Sequence, residues 1–226
     1  MEKKYYEAYD DRYRQIHQEN LQWFADTPSP IVGQVLDCFS ISKDAKILEI
    51  GCGEGRDAIA LLKAGYDVLA TDVSPAAIDY AAKRFPSFAE RFQVLDCLKE
   101  SLDEKFDVLY AVAVVHMLVP QEDRDGFYRF IRTHLAKDGL ALIGTMGDGE
   151  MEVQSDITKA FDLQERTHEQ TGKKVHIAGT SCRVVSWTHF KEEIQRNGLE
   201  IVESGMTSVE PDFPVMMYAV VKKWKP

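Results

Sequence analysis

Glu49, Gly51, Gly53 and Gly55 alternate with single residues in ILEIGCGEG, and Asp72 ends the next apolar run, DVLATD. A chain that leaves a strand and reverses at once into a helix needs backbone conformations that glycine adopts without penalty. The missing side chains also let a ligand approach the backbone closely. A carboxylate at the end of the second strand lies where a ribose would sit, accepting from its two hydroxyls. Further along, His116 follows the apolar run FDVLYAVAVV. It would act as a general base if its pKa lay near working pH and it reached a substrate proton. Arg183 is a lone cation in CRVV, with the planar fork that pairs with a carboxylate or another substrate anion. The plainer readings of these two are a histidine packed under a cover and an arginine in a surface salt bridge.

Periodicity outlines the elements that must position these groups. Ile47, Leu48 and Ile50 read as a buried parallel strand. Ile59, Leu61 and Leu62 mark the helix behind the glycines, and Gly65 ends it. With a second strand over 67–72 this is a nucleotide-binding βαβ unit. Ser74 is an N-cap, Pro75 suits the first helical position, and Ile78, Ala81, Ala82 and Phe85 form the inner stripe. Strand three covers 92–95 and strand four 106–113. A helix after Pro120 carries Phe127, Phe130, Ile131, His134 and Leu135, and a Lys137-Asp138-Gly139 turn precedes strand five over 140–145. Ser186 or Thr188 caps the last helix, Asn197-Gly198 stops it, and strands follow at 199–203 and 215–221. Repeated strand–helix alternation predicts an α/β fold with a parallel sheet.

Spacing separates the ligands that such a unit takes. The dinucleotide fingerprint is G-x-G-x-x-G. Here the third glycine comes one residue early and Arg56 holds the fingerprint position. The pattern E-x-G-x-G-x-G, with Asp72 downstream, resembles motifs I and II of the class I S-adenosylmethionine (SAM) methyltransferases. The stretch from Phe106 to Leu118 resembles the FDLVxxxxVLHHL stretch of their small-molecule members. YDDRYR, Tyr9 to Arg14, resembles a Y/W-D-E-R-Y segment of the thiopurine and tellurite-resistance type.

The resemblance implies a Rossmann-like, seven-stranded, mostly parallel sheet with helices on both faces and the last strand antiparallel. It implies SAM as cofactor and S-adenosylhomocysteine as product. Glu49 and the turn Gly51, Cys52, Gly53 and Gly55 would pass beneath the methionine and ribose part. Asp72, with Val73 beside it, would hold the ribose. Asp96 and Cys97 would contact adenine, with an Asp capping the next turn as the alternative. Ala111 and Val112 should lie near the methionine part, and His116 near the transferable methyl. Tyr13 would offer an aromatic face to the sulfonium or a hydroxyl to the carboxylate. A tyrosine packed on the core is the other reading.

A length of 226 residues predicts one domain with an elaboration. Residues 1–44 are expected to form an N-terminal helical cap, with Tyr5, Tyr6, Tyr9, Tyr13 and Ile16 on its first helix and Ile31, Val35, Leu36 and Phe39 on its second. Residues 147–186 read as an insertion that covers the substrate site, with a polar helix over 155–170, a turn at 171–174 and strand character over 175–185. A net charge of −10 argues against nucleic acid or an anionic membrane as partner. Ala111-Val112-Ala113-Val114 also lacks the (N/D/S)-P-P-(Y/F) motif of amino-methylating nucleic-acid enzymes, which favours a small-molecule methyl acceptor, with a protein substrate as the alternative. The four cysteines lie far apart and read as buried thiols of a reducing cytoplasm, not as metal ligands. The polar N-terminus shows no signal peptide, and no run reaches the roughly 18 apolar residues of a membrane span. The expected activity is methyl transfer to a small-molecule O, N, S or C nucleophile by in-line displacement. A non-catalytic SAM-binding protein and a nicotinamide-dependent oxidoreductase are the other two readings.

Overall fold

A computed structural model describes residues 3–225. Helices α1 (Ala8–Gln18) and α2 (Pro30–Cys38) precede β1 (Lys46–Ile50). Then come α3 (Arg56–Lys63), β2 (Asp67–Asp72), α4 (Pro75–Arg84) and β3 (Phe92–Val94). β4 (Phe106–Val112), α5 (Gln121–His134) and β5 (Leu135–Met146) complete the parallel part. An irregular stretch holds β6 (Val153–Gln154), β7 (Leu163–Thr167), β8 (Lys174–Ala178) and β9 (Arg183–Val184). Finally α6 (Trp187–Arg196) leads into β10 (Leu199–Val209) and β11 (Phe213–Lys223).

The main sheet has seven strands in the order β10-β11-β5-β4-β1-β2-β3. β1 lies parallel to both β2 and β4, whereas β11 runs antiparallel to β5 and β10. This is the mostly parallel sheet with an antiparallel last strand that the motifs imply. Its inner strands are apolar on both faces, as a sheet covered on both sides requires. Leu48, Ile50, Leu109, Ala111 and Ile143 pack into one core; Ile47, Val108, Tyr110, Val112 and Leu142 pack into the other. The strand order reverses at β1, with β2 and β3 on one side and β4 and β5 on the other, so a crevice opens at its carboxyl end, where the glycine turn begins. Ser74 caps α4 by accepting from the Ala77 N–H, and Ser186, not Thr188, caps α6 by accepting from His189.

The largest departure from the sequence reading lies in 155–170, which holds a single 3-10 turn at Ile157–Lys159 and no α-helix. β7 pairs antiparallel with β8, Leu163 opposite Ala178 and Thr167 opposite Lys174. β7 is exposed along its whole length, so its polar composition suits a surface strand as well as a solvated helix face. The strand character over 175–185 divides between β8 and β9. β9 pairs with β6 in a separate two-stranded sheet, and Thr180 between the two adopts φ +61°. The final hairpin is longer than expected, because backbone pairing continues past the apolar runs up to Val209 and Phe213. The cysteines also depart from expectation: Cys52 is buried, Cys97 and Cys182 are half-buried, and Cys38 is exposed.

Candidate functional site

All three glycines of the turn have positive φ: 75° at Gly51, 53° at Gly53 and 87° at Gly55. Space demands glycine as well. A Cβ at Gly51 would come within 2.4 Å of Val114 Cγ2, and one at Gly53 within 2.6 Å of the Tyr13 hydroxyl. The turn is tied to β2, since the Gly51 and Cys52 N–H groups both donate to the Thr71 carbonyl. Asp72 accepts from the Gly53 N–H and the Ser74 N–H, each at 2.8 Å. Burial pushes the Asp72 carboxyl up to about 6, against the lowering effect of those two N–H donors.

A cavity of about 420 Å³ opens over this turn. Of the residues singled out as cofactor contacts, Glu49, Gly51, Cys52, Gly53, Asp72, Val73, Asp96, Cys97, Val112 and Tyr13 all line it. Gly55 and Ala111 do not. Gly55 starts α3, and its φ and the Phe92 ring 2.9 Å from a would-be Cβ account for the glycine. Ala111 is buried in the core beneath the site, while Ala113 (φ +63°) and Val114 turn the chain along the cavity wall. Asp96 accepts from the Tyr6 hydroxyl, the Leu98 N–H and Lys99 Nζ. Burial, with Asp72 nearby, holds the Tyr13 phenol well above its ordinary pKa, so it stays neutral.

Periodicity placed the tyrosines of the N-terminal segment on one face but left their partners open. Tyr5 donates to Asp123 and accepts from the Val119 N–H, while Tyr9 donates to the Ser181 carbonyl. Asp10 accepts from the Ser74 hydroxyl and the Ala76 N–H, joining α1 to the start of α4. Glu54, inside the glycine turn, was missed by motif reading. Its buried carboxylate accepts from the Trp23 and Phe24 N–H groups at 2.9–3.0 Å and lies 2.9 Å from His17 Nε2. The signal was present as an acid between two glycines, but its partners lie far away in sequence.

A second cavity, about 650 Å³, shares Tyr9, Phe24, Met117 and Phe213 with the first, so the two adjoin. His116 lines this second cavity, not the first. Burial, with the Arg124 charge nearby, drops the imidazole to about 3, so it is a neutral ring and a poor base. Its turn, Val115–Met117, is held by the fully buried Arg124, which donates to the Val115 and Leu118 carbonyls at 2.6 and 3.1 Å. Glu193 grips the same guanidinium by two bonds of 2.7 Å. Arg183 donates to the Val119 carbonyl at 3.0 Å and lines neither cavity. Arg12, Lys159 and Arg166 are the cations along the second cavity. Among the described residues no group of three His, Cys, Asp or Glu side chains could hold a metal ion, and no helix is long and apolar enough to cross a membrane.

A family model described as a methyltransferase domain matches residues 48–141. The malonyl-[acyl-carrier protein] O-methyltransferase of Acetivibrio thermocellus is 26% identical over 146 residues, 61% of this chain and 50% of that protein. A probable SAM-dependent methyltransferase, TehB, of Haemophilus influenzae is 27% identical over 115 residues, 50% of this chain and 40% of that one. The chain therefore spans half the length of these curated relatives or less. The 1,6-didemethyltoxoflavin-N1-methyltransferase of Burkholderia thailandensis shares the fold, with a TM-score of 0.71 and 16% identity over 100% of this chain and 92% of that one. The family match runs from β1 into β5 across the turn and acid described above, so residues 48–141 carry a methyltransferase domain, and the fold around them is similar to that of the class I SAM-dependent methyltransferases.

Proposed function

We propose that the chain is a SAM-dependent methyltransferase acting on a small molecule, with cofactor in the cavity over the glycine turn and acceptor in the cavity beside it. The observation that carries this reading is the shared border of Tyr9, Phe24, Met117 and Phe213, which sets a second chamber directly against the cavity over the turn. Two features fit the cofactor. Glu49 Oε2 is buried beside the turn with no hydrogen-bond partner, and the glycine cradle has no room for a side chain. Asp72 would hold the ribose, Asp96 and Cys97 the adenine, and Val112 and Tyr13 would border the methionine part. Bound there, SAM supplies a methyl group on a sulfonium, which leaves as a neutral thioether when a nucleophile displaces it in line.

The chain's own residues then have to position and dehydrate the acceptor, which is where much of the acceleration in such a transfer arises. In this reading residues 1–44 are a cap and 147–186 a lid. The cap is bonded to the lid through Tyr9 and through Arg12, which donates to the Ala178 and Gly179 carbonyls. The net charge of −10 favours a small molecule over a polyanion, and four unpaired thiols suit a reducing cytoplasm. Calorimetric titration of the purified protein with SAM, S-adenosylhomocysteine and NAD tests the proposal. Micromolar binding of the first two without the third is expected. Binding of NAD alone would make the chain an oxidoreductase candidate. SAM binding with no turnover of any acceptor in a broad screen would leave a non-catalytic binder.

A further inference from the structure

His116 sits at the edge of the second cavity, and its two ring nitrogens are not equivalent. Nδ1 accepts from the Met146 backbone N–H at 3.4 Å. A nitrogen that accepts has no proton, so in the neutral ring the proton is on Nε2. Nε2 has no hydrogen-bond partner among the described residues, and the ring borders the cavity. Burial and the Arg124 charge keep the ring neutral, which leaves Nε2–H as its one donor. Arg124 also fixes the Val115–Met117 turn from below, so the donor is rigidly presented.

Part of the surrounding wall is aromatic, formed by Tyr9, Trp23, Phe24 and Phe213, and most of the rest is polar or charged. Phe213 packs edge-to-face on His116 with ring centroids 5.7 Å apart, and Phe24 lies 5.8 Å from Phe213. Trp23 completes the wall under the Arg12 guanidinium, 4.9 Å from its ring. Arg12 is itself immobilised by bonds to Ala178, Gly179 and Thr180. Aromatic walls favour flat, polarisable ligands through stacked and edge-on contacts, and a preformed pocket gains orientation from a few fixed polar groups.

Resting on the proposed acceptor site, we infer that the methyl acceptor is a planar aromatic or heteroaromatic molecule carrying a hydrogen-bond-accepting atom, which His116 reads as an Nε2–H donor. His116 is then a specificity-determining residue and not the base that removes the substrate proton. A buried donor left unpaired by the wrong ligand discriminates strongly against it.

Two measurements test the inference. In full-length protein labelled with ¹⁵N-histidine, the His116 resonances are assigned by their loss in His116→Gln. They should report a neutral ring protonated at Nε2, unchanged from about pH 8 to about pH 5. An Nδ1-protonated ring, or an imidazolium near pH 6, would overturn it. In calorimetry on protein saturated with S-adenosylhomocysteine, chromone supplies a planar ring with a carbonyl, chroman lacks the carbonyl, and cyclohexanone lacks the aromatic ring. Chromone should bind about tenfold or more tightly than either. His116→Phe should abolish the preference over chroman, and His116→Gln, which keeps an N–H donor, should restore part of it. Equal binding of the three probes, no binding of chromone, or an unchanged preference in His116→Phe would overturn the inference. Failure of S-adenosylhomocysteine to bind would instead sink the cofactor proposal, while the ring's proton position and the probe preference, measured on the free protein, would still decide the role of His116.

Discussion

At Asp72 each carboxylate oxygen already accepts a backbone N–H, and burial still raises the group to about 6. The unfolded value is 3.8, so the native state holds the proton more tightly. Between those two values stability falls as pH rises, by about 3 kcal/mol in all, and the loss is complete above the folded value. Urea unfolding near pH 4 and pH 7 should show this contribution as the difference in slope between the native chain and Asp72→Asn, since the other shifted carboxyl groups, Glu49 among them, are common to both. The ribose, by contrast, needs the ionised form as acceptor. SAM affinity should therefore weaken about tenfold per unit below pH 6, and Asp72→Ala should weaken it more than tenfold at neutral pH, both read by calorimetry. The role of Asp72 was legible from its type and place after a strand. Its raised pKa was not, because desolvation depends on α1 and β3 packing around it. His116 shows the same limit more sharply: residue type left a base and a packed ring both open, and the burial that pushes its pKa down and the Met146 N–H at Nδ1 come only from packing.

Between elements, the strongest join is the Arg124–Glu193 pair linking α5 to α6, with Tyr128 donating to the same carboxylate. Arg124→Met strands a buried charge and should cost about 3–5 kcal/mol in urea unfolding. Adding Glu193→Leu should recover most of that, because the carboxylate no longer lacks a partner. Glu54 makes the second join, between the glycine turn and residues 17–24. Glu54→Ala should speed amide exchange at Trp23 and Phe24 by at least tenfold while leaving β1 protected, since only the local closing contacts are removed. Neither join was visible in the chain: α5 read from its apolar stripe and α6 from the residues that start and stop it. The misread 155–170 stretch fails for a related reason. Its strand β7 owes its state to pairing with β8, and an all-exposed polar strand carries no periodic signal of its own.

For the molecule as a whole, ligand occupancy should couple to global stability. S-adenosylhomocysteine at about a hundred times its dissociation constant adds about 2.7 kcal/mol, which for a chain of this size raises Tm by about 5–10 °C. NAD should leave the melting curve unchanged. The sequence by itself determined the parallel strand–helix alternation through β5, the glycine turn and the acid after β2. These depend on local periodicity and on backbone conformations that only glycine adopts easily, so each is written within a few neighbouring residues. Tertiary structure alone decided how the site is enclosed. The Glu54 latch, the reach of Phe213 back over His116, the diversion of Arg183 to the Val119 carbonyl and the exclusion of Gly55 from the cavity all join residues far apart in the chain. Such contacts follow from how packed elements meet, and burial then sets the protonation of the groups they enclose.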